Sequence, residues 1–388
     1  MDFELSEEQR AFRDAARAFA RGELAPHAAA WDEGKIFPRD TIAAAGALGF
    51  CGMYCPEAVG GMGMTRLDAT IILEELAAGC TSTAAFISIH NMAAWMTCAW
   101  GTQRVQDEFC PQLVTGEKLA SYCLTEPNAG SDAASITTRA VRDGDDYRIS
   151  GGKTFISGAG STDVLVLMTR TGAPDSGAGG ITAFAVPADA PGIDYGKNET
   201  KLGWNSQPTR AIAFDAVRVP AAYRLGNEGE GFKIAMKGLD GGRINIAACS
   251  VGAAQATLDL AQVYVQERRQ FGKPIAAFQA LQFKLADMAT ELVAARQMVR
   301  LAASKLDRDD PDRTTYCAMA KRFATDIGFH ICNEALQLHG GYGYLREYPI
   351  ERFFRDARVH QILEGTNEIM RVIIARRILE AGATETIR

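Results

Sequence analysis

The spacing of apolar positions changes character twice along the chain. From Ser6 to about Phe109 apolar residues recur at steps of three and four, with Phe12, Ala16 and Phe19 on one face, and this predicts helices. Ser6 with Gln9, and Thr65 with Asp68, have the spacing of a helix start, where a hydroxyl accepts from the third amide and the third side chain returns the bond. From about Leu119 to Pro220 the period gives way to short β-branched and aromatic runs at 147–150, 154–157, 164–168, 181–186 and 211–214. Asp143-Gly144, Gly151-Gly152 and Gly179-Gly180 supply turn residues between them. No helical pattern intervenes, so the runs predict an antiparallel sheet or barrel rather than strand-helix-strand units. After Gly231 the helical spacing returns. Leu281, Leu285, Met288, Leu292, Ala295 and Val299 alternate steps of four and three, the seam of a left-handed bundle. The pattern as a whole predicts an α+β chain: an N-terminal helical domain over 1–118, a middle antiparallel β domain over 119–230 and a C-terminal helical bundle over 231–388.

Composition narrows the class. With 388 residues and 47% hydrophobic content the chain can bury the cores of two or three domains. The net charge of -6 is spread along the sequence without a Lys/Arg block, which argues against nucleic acid or a membrane surface as partner. Nine cysteines, an odd number with no CxxC pair, lie mostly inside apolar runs and read as reduced, buried thiols. The start carries Glu7 and Glu8 rather than a basic stretch before an apolar one, and no apolar run is expected to span a membrane. A cytoplasmic protein, or a mature protein of the mitochondrial matrix, is the expectation.

Common chemistries lack their markers. There is no GxGxxG after a strand, no Walker loop, no HExxH and no GxSxG. His27, His90, His330, His339 and His360 are scattered without ligand spacing, so no metal is expected. Four stretches remain. Glu364-Gly365-Thr366-Asn367-Glu368 falls between two helical segments, where Glu364 can act as a base, Gly365 admits close approach and Thr366 caps the last helix. The small-residue loop from Tyr122 through Ser131 exposes amides and hydroxyls suited to a phosphate or a flavin edge. Asp240-Gly241-Gly242-Arg243 puts two glycines inside a helical pattern, at roughly 1 kcal/mol each, which points to close approach by a ligand or chain. Gln337-Leu338-His339-Gly340-Gly341 ends a helix in glycines and as a C-cap needs no function.

Taken in this order, with Phe155-Ile156-Ser157 and Glu267-Arg268-Arg269-Gln270-Phe271-Gly272, these stretches resemble the acyl-CoA dehydrogenase family over nearly the whole chain. The resemblance implies that the C-terminal bundle is a four-helix bundle. It implies removal of two hydrogens across Cα–Cβ of an acyl-CoA thioester, with FAD as cofactor, electron-transferring flavoprotein as acceptor and a homotetramer as the assembly. It implies Glu364 as the base, since the alternative position for the base in some members is Gly242 here. It places Tyr122, Leu124, Thr125, Phe155, Ile156, Ser157, Thr366 and Glu368 at the FAD, and Arg268, Phe271, Gln279, Gln337, Leu338, Gly340 and Gly341 at the FAD of a neighbouring subunit. Ser131, Asp240, Arg243, Gly365 and Arg376 would hold the acyl-CoA ester. Residues 87–91, 203–210 and 241–247 are most similar to members acting on short, 2-methyl-branched acyl groups, with Ala85, Ser88 and Met92 facing the acyl chain. Two positions depart from the pattern: Asn128 stands where such loops often carry Gly, and Asp240 where those branched-chain members carry Asn. An oxidase on the same fold and a non-catalytic CoA-ester-binding scaffold are the other readings.

Overall fold

The computed structural model describes residues 4–382. Its first part holds α1 (Glu7–Phe19), α2 (Ala28–Gly34), α3 (Arg39–Ala47), α4 (Arg66–Gly79), α5 (Thr81–Trp100) and α6 (Gln103–Val114). Both expected capping boxes form: Ser6 Oγ accepts from the Gln9 amide at 3.1 Å, and Thr65 Oγ1 accepts from the Asp68 amide at 3.1 Å. Almost every residue of α5 is buried, Ala85, Ser88 and Met92 included, so α5 lies between the other layers rather than on one.

The middle part is a sheet of β1 (Ala120–Cys123), β2 (Arg139–Asp143), β3 (Asp146–Ser157), β4 (Val164–Arg170), β5 (Ile181–Pro187), β6 (Ile193–Tyr195), β7 (Thr209–Pro220) and β8 (Arg224–Leu225). The order is β6-β7-β3-β2-β4-β5-β8, with β1 beside β4. It is antiparallel except where β4 meets β1 and β2, a parallel pairing that the run spacing does not reveal. The expected turn at Gly151-Gly152 is also corrected. β3 runs through it with a bulge, Ile149 opposite Val217 but Gly151 opposite Phe214. Gly151 takes φ +142°, and a β-carbon there would stand 2.7 Å from Thr138 Cα, so glycine serves a close backbone approach.

The last part holds α7 (Gly231–Glu267), a short hairpin of β9 (Arg269–Gln270) and β10 (Lys273–Pro274), then α8 (Gln279–Asp307), α9 (Arg313–His339), α10 (Ile350–Arg358) and α11 (Asn367–Ala381). Met288, Leu292, Ala295 and Val299 of the α8 seam are buried, and Leu281 and Leu285 pack beside them. Contrary to the expectation that no segment has membrane-spanning length, α7 is long and apolar enough by composition alone. Most of that stretch is buried inside the protein, because α4, α5, α8 and α9 all pack on it. Glycines make this contact possible: a β-carbon on Gly252 would overlap the Glu74 carbonyl oxygen of α4, and one on Gly328 would come within 2.9 Å of the Ser250 carbonyl oxygen. His90 ties the first part to the sheet, its Nε2 at 2.9 Å from the Leu113 carbonyl and its Nδ1 accepting from the Ala120 amide at 3.0 Å. All nine cysteines are buried free thiols.

Candidate active site

The chain leaves α10 through a 3-10 turn at Val359–Gln361 and enters α11 at Asn367. Between them Glu364 has φ +54° and Gly365 φ +89°, two successive left-handed residues that reverse the chain sharply. A non-glycine residue there is strained, and such strain is kept where the surroundings dictate it. Thr366 then caps α11, its hydroxyl accepting from the Ile369 amide at 3.3 Å.

This turn aims Glu364 at the glycine face of α7. A β-carbon on Gly242 would stand 2.8 Å from Glu364 Oε2 and 2.9 Å from Met92 Sδ, so the carboxylate occupies the space that a side chain at 242 would need. Oε2 is out of solvent and has no hydrogen-bond partner. Burial pushes the carboxyl pKa up to about 7, against the opposing pull of Lys321 and Arg243. The Tyr122 hydroxyl at the end of β1 is likewise buried and unpaired, with its own titration pushed up by burial and by the Glu364 charge. Each orphaned polar group costs roughly 1–3 kcal/mol unless a ligand satisfies it. On α7, Asp240 and Arg243 pair with each other at 2.7 Å; Asp240 also accepts from Thr314 at 2.7 Å, and Arg243 Nε is left buried and unpaired.

The loop after β1 is pinned from behind. Lys153, fully buried in β3, donates to the Leu124 carbonyl at 2.9 Å and to Glu126 at 2.8 Å, and Glu126 accepts from the Thr137 and Thr138 amides at 2.7 and 3.0 Å. The Thr154 amide holds the Thr125 carbonyl at 2.9 Å. Next to them Phe155 is 68% exposed with φ +57°, while Ile156 is buried and Ser157 half-buried. An aromatic ring presented outward on a strained strand residue, beside a fixed loop and an unpaired tyrosine hydroxyl, fits a planar cofactor with polar edges.

Arg268, Gln337, Leu338, Gly340 and Gly341 meet elsewhere, in a cavity of about 620 Å³ shared with Tyr264 and Lys284. Phe271, 90% exposed on the β9–β10 hairpin, and Gln279, at the start of α8, are exposed and do not line it. Within one chain this cavity and the Glu364 site have no lining residue in common. Ser131, Glu368 and Arg376 lie on the surface, Ser131 on the loop after β1 and the other two on α11. Besides Lys153, two buried cations near the site were not singled out from the sequence. Lys321 on α9 lies beneath the Glu364 turn. Arg66 starts α4 with its guanidinium carbon 3.5 Å from the Tyr54 ring centroid and 4.5 Å from that of Trp95. Arg66 follows a helix cap and Lys321 precedes another cation, so both read as solvated positions.

A buried carboxyl against a glycine-faced helix, beside a fixed loop and an outward-facing aromatic ring, is an arrangement that suits a cofactor-dependent oxidoreductase. Comparison with known proteins narrows this class. Family profiles match residues 6–117 as acyl-CoA dehydrogenase, N-terminal domain, 121–217 as middle domain and 229–379 as C-terminal domain. The isobutyryl-CoA dehydrogenase, mitochondrial, of Bos taurus is 54% identical over 376 residues, covering 97% of this chain and 90% of that protein. The structure of butyryl-CoA dehydrogenase from Megasphaera elsdenii superposes with a TM-score of 0.94 at 40% identity, covering 98% of this chain and all of that one. A structure of PigA with FAD and proline has a TM-score of 0.94 at 29% identity over 97% of this chain and 99% of that chain. The chain belongs to the acyl-CoA dehydrogenase family. It is an oxidoreductase acting on the CH–CH group of acyl-CoA thioesters, and its cofactor is FAD.

Proposed function

We propose that this protein converts isobutyryl-CoA to methacrylyl-CoA, a step of valine breakdown, with Glu364 as the base that takes the α-proton. The observation that carries the assignment of the base is the buried, unpaired Glu364 Oε2 against Gly242. A carboxyl held near pH 7 is poised to accept a weakly acidic α-proton and to release it afterwards. Bound FAD supplies the acceptor for the hydride leaving Cβ. Tyr122, Leu124, Thr125, Phe155, Ile156, Ser157 and Thr366 would hold its flavin end, with Glu368 near by. The Glu364 backbone amide can donate to the thioester oxygen as enolate charge develops there, and Asp240, Arg243, Gly365, Ser131 and Arg376 would seat the ester. The electrons then pass to electron-transferring flavoprotein.

Short, branched substrates are favoured by what surrounds the carboxylate. Met92 and Met96 fill the glycine face of α7, Met96 Sδ lying 2.6 Å from where a Gly238 β-carbon would be. Ala85 and Ser88 are buried on the same helix as Met92, and Arg66 stacked on Tyr54 closes the side toward Gly241. The isobutyryl-CoA dehydrogenase likeness agrees with so small a space. Assembly as a homotetramer would bring the Arg268–Gln337 cavity of one subunit to the FAD of another. The compartment would be the cytoplasm if the chain is bacterial, or the mitochondrial matrix if it is a mature eukaryotic protein. The test is kcat/KM across isobutyryl-, butyryl-, 2-methylbutyryl-, isovaleryl- and octanoyl-CoA. Isobutyryl-CoA should lead by a modest factor, since one methylene in an apolar pocket is worth about 1–3 kcal/mol. An optimum at isovaleryl- or octanoyl-CoA would remove the isobutyryl assignment and leave the dehydrogenase chemistry.

A further inference from the structure

Lys321 is one of the largest fully buried side chains in the molecule, at 0% exposure on α9. Its ammonium donates to the Gly365 carbonyl at 2.8 Å and to Asn367 Oδ1 at 2.8 Å. Asn367 is held in turn by Thr325 and Asp326, its Nδ2 donating at 2.9 and 2.7 Å. Both acceptors of Lys321 are neutral oxygens, and among the described residues it forms no salt bridge. A buried ammonium without a paired carboxylate is costly, and a fold retains one where the charge serves something else.

We propose that Lys321 is the positioning residue of the base: by holding the Gly365 carbonyl it fixes the left-handed turn that aims Glu364 at α7, and it supplies the counter-charge that the buried carboxylate lacks. The inference rests on the reading of Glu364 as the base. Its geometric half follows from the two consecutive positive-φ residues, which have no regular hydrogen-bond ladder and are locked by an anchor on the carbonyl of the second. Its electrostatic half follows from the charges around the carboxylate. Those acting on Glu364 are Lys321 from α9 and Arg243 from α7. Arg243 is already neutralised by Asp240 at 2.7 Å, which leaves Lys321 as the cation not otherwise compensated. Asp326 of α9 and Glu368 of α11 also act on Lys321, and Tyr122, Tyr54 and Cys249 feel the Glu364 charge while staying neutral through pH 7. Burial brings Lys321 down to about 8, with Glu364 the largest influence holding it up.

The experiment is the pH dependence of kcat/KM for isobutyryl-CoA in FAD-loaded wild type, Lys321→Gln and Lys321→Met. Both variants remove the charge and Gln retains a donor for Gly365, so either one that accumulates as FAD-loaded protein suffices. The acid limb, which reports the base in the free enzyme, should move up by roughly one pH unit, with about tenfold lower kcat/KM at pH values below the new limb. The loss should shrink as the pH is raised in Lys321→Gln. A residue needed only for folding would lower the rate evenly across the profile, so an unmoved acid limb in a folded variant overturns the proposal. A parallel Glu364→Gln arm separates the two readings. Retained turnover there sinks the base assignment and this inference with it, whereas lost turnover with an unmoved limb in the Lys321 variants sinks this inference alone.

Discussion

A glutamate that titrates near neutrality must be kept from water, and the molecule does so with residues that are individually plain. Gly242 leaves the space, Met92 fills its rim, and the turn through Gly365 delivers the carboxylate. The cost appears as pH-dependent stability. The carboxyl pKa rises from 4.5 in the unfolded chain to about 7 in the fold, so its stabilising contribution is complete below about 4.5 and is lost as pH rises through 7. Glu364→Gln abolishes that loss. Its stability should therefore exceed that of wild type above pH 7, by on the order of 3 kcal/mol at most, seen as a higher thermal midpoint, and the gap should close toward pH 4.5. Asp356, also raised to about 7 by burial, is common to both proteins and drops out of the difference. Differential scanning at pH 5 and pH 8 would show it; equal gaps at the two values would contradict the burial of the carboxylate. Glu364 was visible in the sequence because helical spacing stops on both sides of it and Thr366 makes a cap. Lys321 was not, since in Ala-Met-Ala-Lys321-Arg322 only the packing of α9 under α11 distinguishes a buried cation from a solvated one.

At the scale of elements, α7 does most to place the site, and it can do so because glycines let other chains come close. Gly252→Ala would drive a methyl group into the Glu74 carbonyl of α4, and α7 cannot yield without displacing Gly241 and Gly242. The substitution should destabilise by roughly 1–3 kcal/mol, as overpacking of a well-filled core does, measurable as a lower urea midpoint at unchanged slope. An unaltered midpoint would mean that α4 and α7 lie farther apart than this structure has them. Gly241 and Gly242 stood out in the sequence as breaks in helix propensity, whereas the isolated Gly252 did not, and nothing there tells which neighbour approaches each one. β3, β4, β5 and β7 were found by their runs while the shorter β2, β6 and β8 were not, and Gly151-Gly152 reads the same whether it makes a turn or a bulge, because both need the same backbone freedom. Parallel pairing of β4 with β1 and β2 was hidden for a similar reason: it depends on which strands meet, not on local pattern.

In the whole molecule, the residues expected at FAD fall into two groups on one chain, one around Tyr122 and Phe155 and one around Arg268 and Gln337. If the second group serves a neighbouring subunit, Arg268→Ala should weaken FAD retention and assembly together, because the guanidinium would reach the pyrophosphate across the boundary. Gel filtration with bound-flavin absorbance checks this, and a variant that keeps both excludes the shared site. The division was readable only through resemblance to a family, since no local feature of Gln337 to Gly341 separates a helix cap from a ligand-binding edge.

The central claim, that Glu364 takes the α-proton in an acyl-CoA dehydrogenation, is tested most directly by anaerobic mixing of FAD-loaded protein with isobutyryl-CoA while flavin absorbance is followed. Wild type should bleach within a single turnover. Glu364→Gln, nearly isosteric and unable to accept the proton, should bind FAD and substrate yet bleach several orders of magnitude more slowly. Bleaching of the variant at the wild-type rate would contradict the account.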